Sequence, residues 1–216
     1  MSENCMLASI FSNEFAPQWI SALGTFLLAC VALWGNSFKT YFIRPKLSLS
    51  IKNGEKELGE LTYDRGKPVR YYHLFLRNKS SLVKARDVQI NLIRVDQKKE
   101  NGKYEQLCTF EGIPFCWQFH EYLERTRDVY DNTVIADLCR LTPQKFQFTT
   151  VITPNALAKS YKKPFEFQLH IKAQSVESPS NTLVLRVKWD GKWTNKGLSN
   201  VKIEDVSYSY KKDTDV

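Results

Sequence analysis

Between Pro17 and Phe38 the chain reads PQWISALGTFLLACVALWGNSF, without one Asp, Glu, Lys, Arg or His. A helix of about 22 residues at 1.5 Å per residue spans about 33 Å, enough for the roughly 30 Å hydrocarbon layer of a bilayer. Trp19 and Trp34 stand near its two ends, where aromatic belts meet the headgroups. A soluble core helix rarely goes this long without a charged face, so the pattern predicts a transmembrane helix over 17–38. A cleaved signal peptide needs a basic leader, yet residues 1–16 hold Glu3 and Glu14 and no Lys or Arg. Leu27-Leu28-Ala29-Cys30 has a lipobox outline, but the residues after Cys30 stay apolar where a tethered lipoprotein turns polar.

The flanks orient the span. Glu3 and Glu14 precede it; Lys39, Arg44 and Lys46 follow it. Lys and Arg gather on the cytoplasmic side of short flanks, which predicts an inner-membrane protein with its N-terminus outside and its C-terminal bulk in the cytoplasm. Five irregularly spaced cysteines suit a reducing compartment better than a disulfide framework. Trp19, Trp34, Lys39, Arg44 and Lys46 are the expected membrane-interface residues, the cations meeting an anionic inner leaflet. Pro45 ends helix propagation. The expected organisation is a tail over 1–16, the span over 17–38, a basic linker over 39–46, a β domain over 47–210 and a polar tail over 211–216.

Beyond Lys46 the hydrophobic period changes to two. Leu47, Leu49 and Ile51 alternate with polar residues, as do Tyr72, Leu74 and Leu76 in 69–78 and Val88, Ile90 and Leu92 in 87–95. Further strands are expected over 103–110, 145–151, 165–173, 183–189 and 201–210, with Asn53-Gly54, Asn101-Gly102 and Asp190-Gly191 as turns. The stretch 114–127 mixes aromatic and charged residues and reads as a short helix. About eight short strands with little helix predict a mainly β fold, an immunoglobulin-like sandwich behind one transmembrane helix. About 170 residues suffice to close such a core without disulfides.

The formal charge is +8; with residues 1–40 set aside, which hold one Lys and two Glu, the excess rises to +9. An anionic neighbour is implied: inner-leaflet lipid, nucleic acid or a nucleotide-type ligand. Arg65, Arg70, Lys84 and Arg86 are the candidate anion-binding residues, and Lys159, Lys162 and Lys163 gather around Tyr161. No RNA-recognition signature, zinc-finger spacing or basic helix points to specific duplex nucleic acid. Phosphate loops, nucleophile elbows, HExxH and CxxC are absent from the sequence, so neither enzyme activity, a metal nor a cofactor is expected. His73 and His170 fall mid-strand, where a hydrogen-bonded structural role is the common one, and Cys116 reads as a small buried filler.

The segments RPKLSLSI, YYHLFLRNKSSLVKARDVQINLIRV and LRVKWDGKW resemble a recurrent group of uncharacterised bacterial membrane proteins in which one helix anchors a cytosolic β domain. That resemblance implies a corner from Asn78 to Val88 and a hairpin at Trp189-Asp190-Gly191, and no activity. The build is also similar to membrane-anchored accessory proteins of bacterial antiphage systems, CRISPR-associated ones among them. Two functional expectations result. One is an accessory protein that presents a basic sandwich to a protein partner encoded nearby. The other is a ligand-gated effector of antiviral defence that senses a phosphate-bearing nucleotide and oligomerises through its helix.

The helix face bears on assembly. Ser21, Thr25, Ala29 and Ala32 form one stripe of small residues, which allows helix backbones to approach closely. The predicted outcome for Thr25→Leu with Ala29→Leu is conversion of a homo-oligomer to monomer, measured by sedimentation of the full chain in detergent. An unchanged oligomer removes the stripe from the account.

Overall fold

The computed structural model describes residues 16–42, 44–51, 59–118, 125–194 and 200–207 and, within the helix, the side chains of 18–35. It divides into two units, Met1–Arg44 and Pro45–Val216. In the first, helix α1 covers Ala16–Phe42, about 40 Å of rise, and so continues past the expected end at Phe38. Its described side chains are all exposed save Cys30 and Gly35. Leu23, Leu28, Leu33 and Trp19 are each more than 60% bare of protein. This is one N-terminal helix long and apolar enough to cross a membrane. The flanking 1–15 tail and the side chain of Lys39 lie outside the described residues.

The second unit contains strands β1 (Leu47–Ser50), β2 (Gly59–Asp64), β3 (Lys67–Asn78), β4 (Ala85–Lys98), β5 (Tyr104–Pro114), β6 (Arg127–Val129), β7 (Thr133–Leu141), β8 (Phe146–Phe148), β9 (Phe165–Gln174), β10 (Pro179–Trp189) and β11 (Val201–Asp205). They form two antiparallel sheets. One has the order β1-β3-β7-β8, the other β11-β10-β9-β4-β5. Strand β2 lies end to end with β1 along β3, pairing with 67–72 while β1 takes 75–78. In the same way β6 pairs with the start of β4 and β5 with its remainder. The fold class expected from the alternating pattern, mainly β behind an apolar helix, is the one observed.

Alternation explains the core. Tyr72, Leu74 and Leu76 from β3 face Val88, Ile90 and Leu92 from β4, with Leu169, Ile171, Leu185 and Val187 from the same sheet as β4, and all are buried in one cluster. After Phe115, whose N–H bonds to Ile90 O in one sheet, the chain changes sheet. Cys116 N donates to Thr149 O, and Asp137 N to Cys116 O, beside β7. This crossing is where a helix was expected; residues 119–124 lie outside the description. Asn181 ties the sheets at one side, accepting from Leu49 N and donating to Leu49 O.

The two ends of the sandwich differ. At the entry end, Asn78 is 1% exposed. Its Oδ1 accepts from Lys46 N and Ser80 N, both at 3.0 Å, and its Nδ2 donates to Val83 O at 2.6 Å and to Val129 O at 3.4 Å. Ser178 Oγ donates to Pro45 O at 2.8 Å. The chain therefore enters the sandwich at the C-terminal end of β3. Twelve residues of β3, about 36 Å of strand, lead away to the distal end. That end is packed by Phe146, Phe165, Phe167 and Trp189, with Phe146 4.8 Å from Phe165 and 5.9 Å from Trp189 between ring centroids. Gly191 turns there with φ +81°, and a Cβ on it would lie 2.9 Å from Pro164.

Three strands escape the periodic reading: β2, β6 and β7. The turn at Asn101-Gly102 is present, Gly102 having φ +81°. The chain also turns back after Asp190-Gly191, where Asp190 N bonds to Asn200 O. Asn53-Gly54, Tyr210 and the 211–216 tail fall outside the described residues. Replacement Asn78→Ala leaves several buried backbone groups without partners and is expected to lower stability by about 3 kcal/mol, measured as a lower denaturant midpoint of the full chain.

Candidate functional site: a cationic distal end

The four candidate anion-binding residues fall into two groups at opposite ends of the sandwich. Arg65 occupies the β2–β3 turn with φ 51° and is exposed. Arg70, on β3 nearby, is 4% exposed, with its guanidinium 5.7 Å from the Trp193 ring centroid. Lys84 and Arg86 stand at the entry end, where β4 begins. Lys84 Nζ lies 2.9 Å from Asp128 Oδ2 and Arg86 Nε 2.6 Å from Glu177 Oε1. Hydrogen bonding to Lys84 holds the Asp128 carboxyl below its ordinary range. Burial works against ionisation of Glu177, yet Arg86 and the backbone donors around it prevail and hold it low as well. These two cations thus belong to ion pairs.

The distal end is different. Lys99 and Lys103 flank the β4–β5 turn; Lys159, Lys162 and Lys163 surround Tyr161; Lys67 begins β3 and Lys192 follows the Gly191 turn, and all are exposed. Tyr161 pairs with Phe146 through backbone bonds of 2.8 and 2.9 Å, which fixes the lysine-rich segment over the aromatic floor. Among the described residues no carboxylate pairs with Lys159, Lys162 or Lys163. The acidic residues at this end are fewer: Asp64, Glu100, Glu105, Glu166, which is engaged by Lys98 and Lys188, and Asp190, which accepts from Lys192 N and from Asn200. A rigid aromatic base with mobile-headed cations above it is suited to contact a negatively charged surface.

The outer face of the β11–β5 sheet has its own polar layer. Glu166 accepts from Tyr104 Oη at 2.5 Å and from Lys98 Nζ at 3.1 Å. Burial alone would raise its pKa, but Tyr104, Lys98 and Lys188 outweigh that and lower it. Arg186 lies 5.7 Å from the Tyr104 ring centroid. Deeper in the same face, Asp96 is 2% exposed and is bonded by Arg94 Nε at 2.6 Å and His170 Nε2 at 2.9 Å. On the other sheet His73 Nδ1 meets Asp137 Oδ1 at 2.9 Å. Both histidines are therefore hydrogen-bonded face residues, and their acidic partners were not foreseen from sequence. Spacing could not reveal them, because the partners lie 64 and 74 residues away.

Cys116 and Cys139 are buried, and burial raises the Cys116 thiol to about 11. No group of three His, Cys, Asp or Glu among the described residues is arranged to hold a metal ion. Of the expected helix-association residues, Thr25 Oγ1 donates to Ser21 O at 2.9 Å within α1; Ala29 and Ala32 leave the same face small. Trp19 and Trp34 are 76% and 57% exposed, and Arg44 and Lys46 are exposed.

No protein family, characterised protein or solved structure matches this chain. The functional reading rests on its own residues.

His170 supplies a pH test. Burial depresses its pKa below 6.5, more than Asp96 raises it, and Arg94 adds to the depression. The folded state thus prefers neutral imidazole, and the stability this contributes is present above about pH 6.5 and lost as pH falls through the folded value. The thermal midpoint is expected to drop between about pH 7 and about pH 5, and the drop should shrink in His170→Gln.

Proposed function

We propose that this is a single-pass, membrane-anchored accessory protein whose cytosolic sandwich, immunoglobulin-like in build, offers a cationic end to an acidic protein partner. In this reading α1 spans the inner membrane with the N-terminus outside, as the Lys39, Arg44 and Lys46 flank favours. The supporting observation is where the positive charge lies. Were lipid attraction the reason for the excess, unpaired cations would concentrate where the chain enters the sandwich. They are denser at the far end of β3, where Lys99, Lys103, Lys159, Lys162, Lys163 and Lys192 are exposed, than at the entry end, where Lys84 and Arg86 are matched by Asp128 and Glu177 and Lys46, Arg77 and Lys79 are exposed. Electrostatic complementarity of this kind sets encounter rate and partner choice.

A second reading draws on the same lysines together with Arg65. It is the ligand-gated effector of antiviral defence, in which a phosphate-bearing nucleotide takes the place of the acidic protein and the Ser21, Thr25, Ala29 and Ala32 stripe assembles the helices. The two part on a single protein sample. A photo-cross-linking residue at Lys162 in growing cells is expected to give a discrete protein adduct, weakened about tenfold by Lys159→Glu with Lys163→Glu. Meanwhile cyclic nucleotides and oligoadenylates are expected to leave the thermal midpoint of the full chain unchanged. A nucleotide at 100 times its dissociation constant would add about 2.7 kcal/mol; such a shift, with no adduct, replaces the first reading by the second.

A further inference from the structure

We propose that the entry end of the sandwich rests on the lipid surface through three apolar loop tips, Leu82, Tyr130 and Val176. The inference depends on α1 being a membrane anchor. Leu82 stands in the β3–β4 loop and is 82% exposed; Val176 stands in the β9–β10 turn at 67%, and Tyr130 directly after β6 at 57%. These connections are far apart in sequence, yet the fold gathers them. Val176 N donates to Arg86 O at 3.2 Å, and Lys84 Nζ lies 5.8 Å from the Tyr130 ring centroid. Residues 80–84 with Tyr130 and Asp131 line one open cleft of about 270 Å³. Singly such side chains are common on surfaces, but apolar tips gathered at one end mark an interaction surface.

Lipid is the occupant that the covalent connection favours. The same end holds Pro45 and Lys46 in place through Ser178 and Asn78, and only residues 43–46 separate β1 from the last residue of α1. That leash extends to about 18 Å at most, so a bilayer crossed by α1 is within reach of this end. The contact is carried by the apolar tips. Asp128 and Glu177 are paired with Lys84 and Arg86, while Lys46, Arg77 and Lys79 at this end are exposed, as are Asp87 and Asp131. Exposed Leu, Val and Tyr gain by entering the interfacial layer whatever the headgroup charge.

The test uses the full chain in phosphatidylcholine vesicles, with a photo-cross-linking residue placed singly at Leu27, Leu82 or Tyr63. Tyr63 is 70% exposed on β2, at the distal end, and serves as the reference. Expected are lipid adducts at positions 27 and 82, with position 82 exceeding position 63 about tenfold, the factor that one buried Leu side chain commands. Adding phosphatidylglycerol should leave the yield at 82 nearly unchanged. A yield at 82 equal to that at 63, with position 27 still labelled, overturns the docking alone. Loss of labelling at position 27 overturns the anchor and the docking together. A yield at 82 that appears only with phosphatidylglycerol rejects the apolar contact, as does an adduct at 82 in cells that contains protein and no lipid.

Discussion

A single buried amide sets the geography of this domain. Asn78 sits where β3 ends, accepts from the backbone at Lys46 and Ser80, and donates to carbonyls before β4 and at the end of β6. An exposed residue with the same bonds would contribute little, because water competes for every one of them. At 1% exposure, each missing partner would leave a desolvated polar group. Four segments are thereby forced to one place: the entering chain, the end of β3, the start of β4 and the end of β6. The opposite end of the sandwich is then defined by the length of β3.

Charge follows the same division. At the entry end Lys84 and Arg86 are matched by carboxylates from adjoining segments; Asp128 comes from β6 and Glu177 from the β9–β10 turn. Exposed pairs of this kind add little to stability. Their effect is on the field, since they cancel charge close to where it arises. At the distal end the lysines of 159–163 have no such partners and stand over rings that pack edge to face, a floor that needs no polar group to hold it. Among the described residues, exposed positive charge is thus densest at the distal end.

Much of this was legible before any coordinates. The uncharged run from Pro17 to Phe38 predicts its helix because no other structure satisfies a backbone amid so many apolar side chains. The alternations in β3, β4, β9 and β10 read correctly because each strand has one face in a common core. Strand β7 did not, for two physical reasons. Its outward positions hold Asp137 and Arg140, bonded to His73 and Gln147, and the bulge where Tyr72 gives way to His73 lets Leu138 and Cys139 both be buried, which breaks the period of two. Strands β2 and β6 are short and mostly polar, and borrow their pairing from long neighbours. The lysines around Tyr161 were visible as a cluster, but their separation from Lys84 and Arg86 was not, because sequence distance says nothing of which end of a sandwich a loop occupies. Asn78 reads as part of a corner between strands, but its four hydrogen bonds reach segments up to 51 residues away and have no signature in the sequence.

The helix and the sandwich also constrain what sort of device the protein can be. Thr25 spends its hydroxyl on the Ser21 carbonyl one turn earlier, so the small stripe has size to offer a neighbouring helix more than hydrogen bonds. An assembly made this way packs closely and presents few polar atoms along an axis, which suits holding copies together better than conducting ions. The sandwich in turn joins its two ends through strands that run nearly unbroken, with core side chains interdigitated along their length. Packed cores of this density resist continuous deformation. Under the proposed reading, contact at the distal end is therefore better suited to holding a partner than to driving a movement in the span.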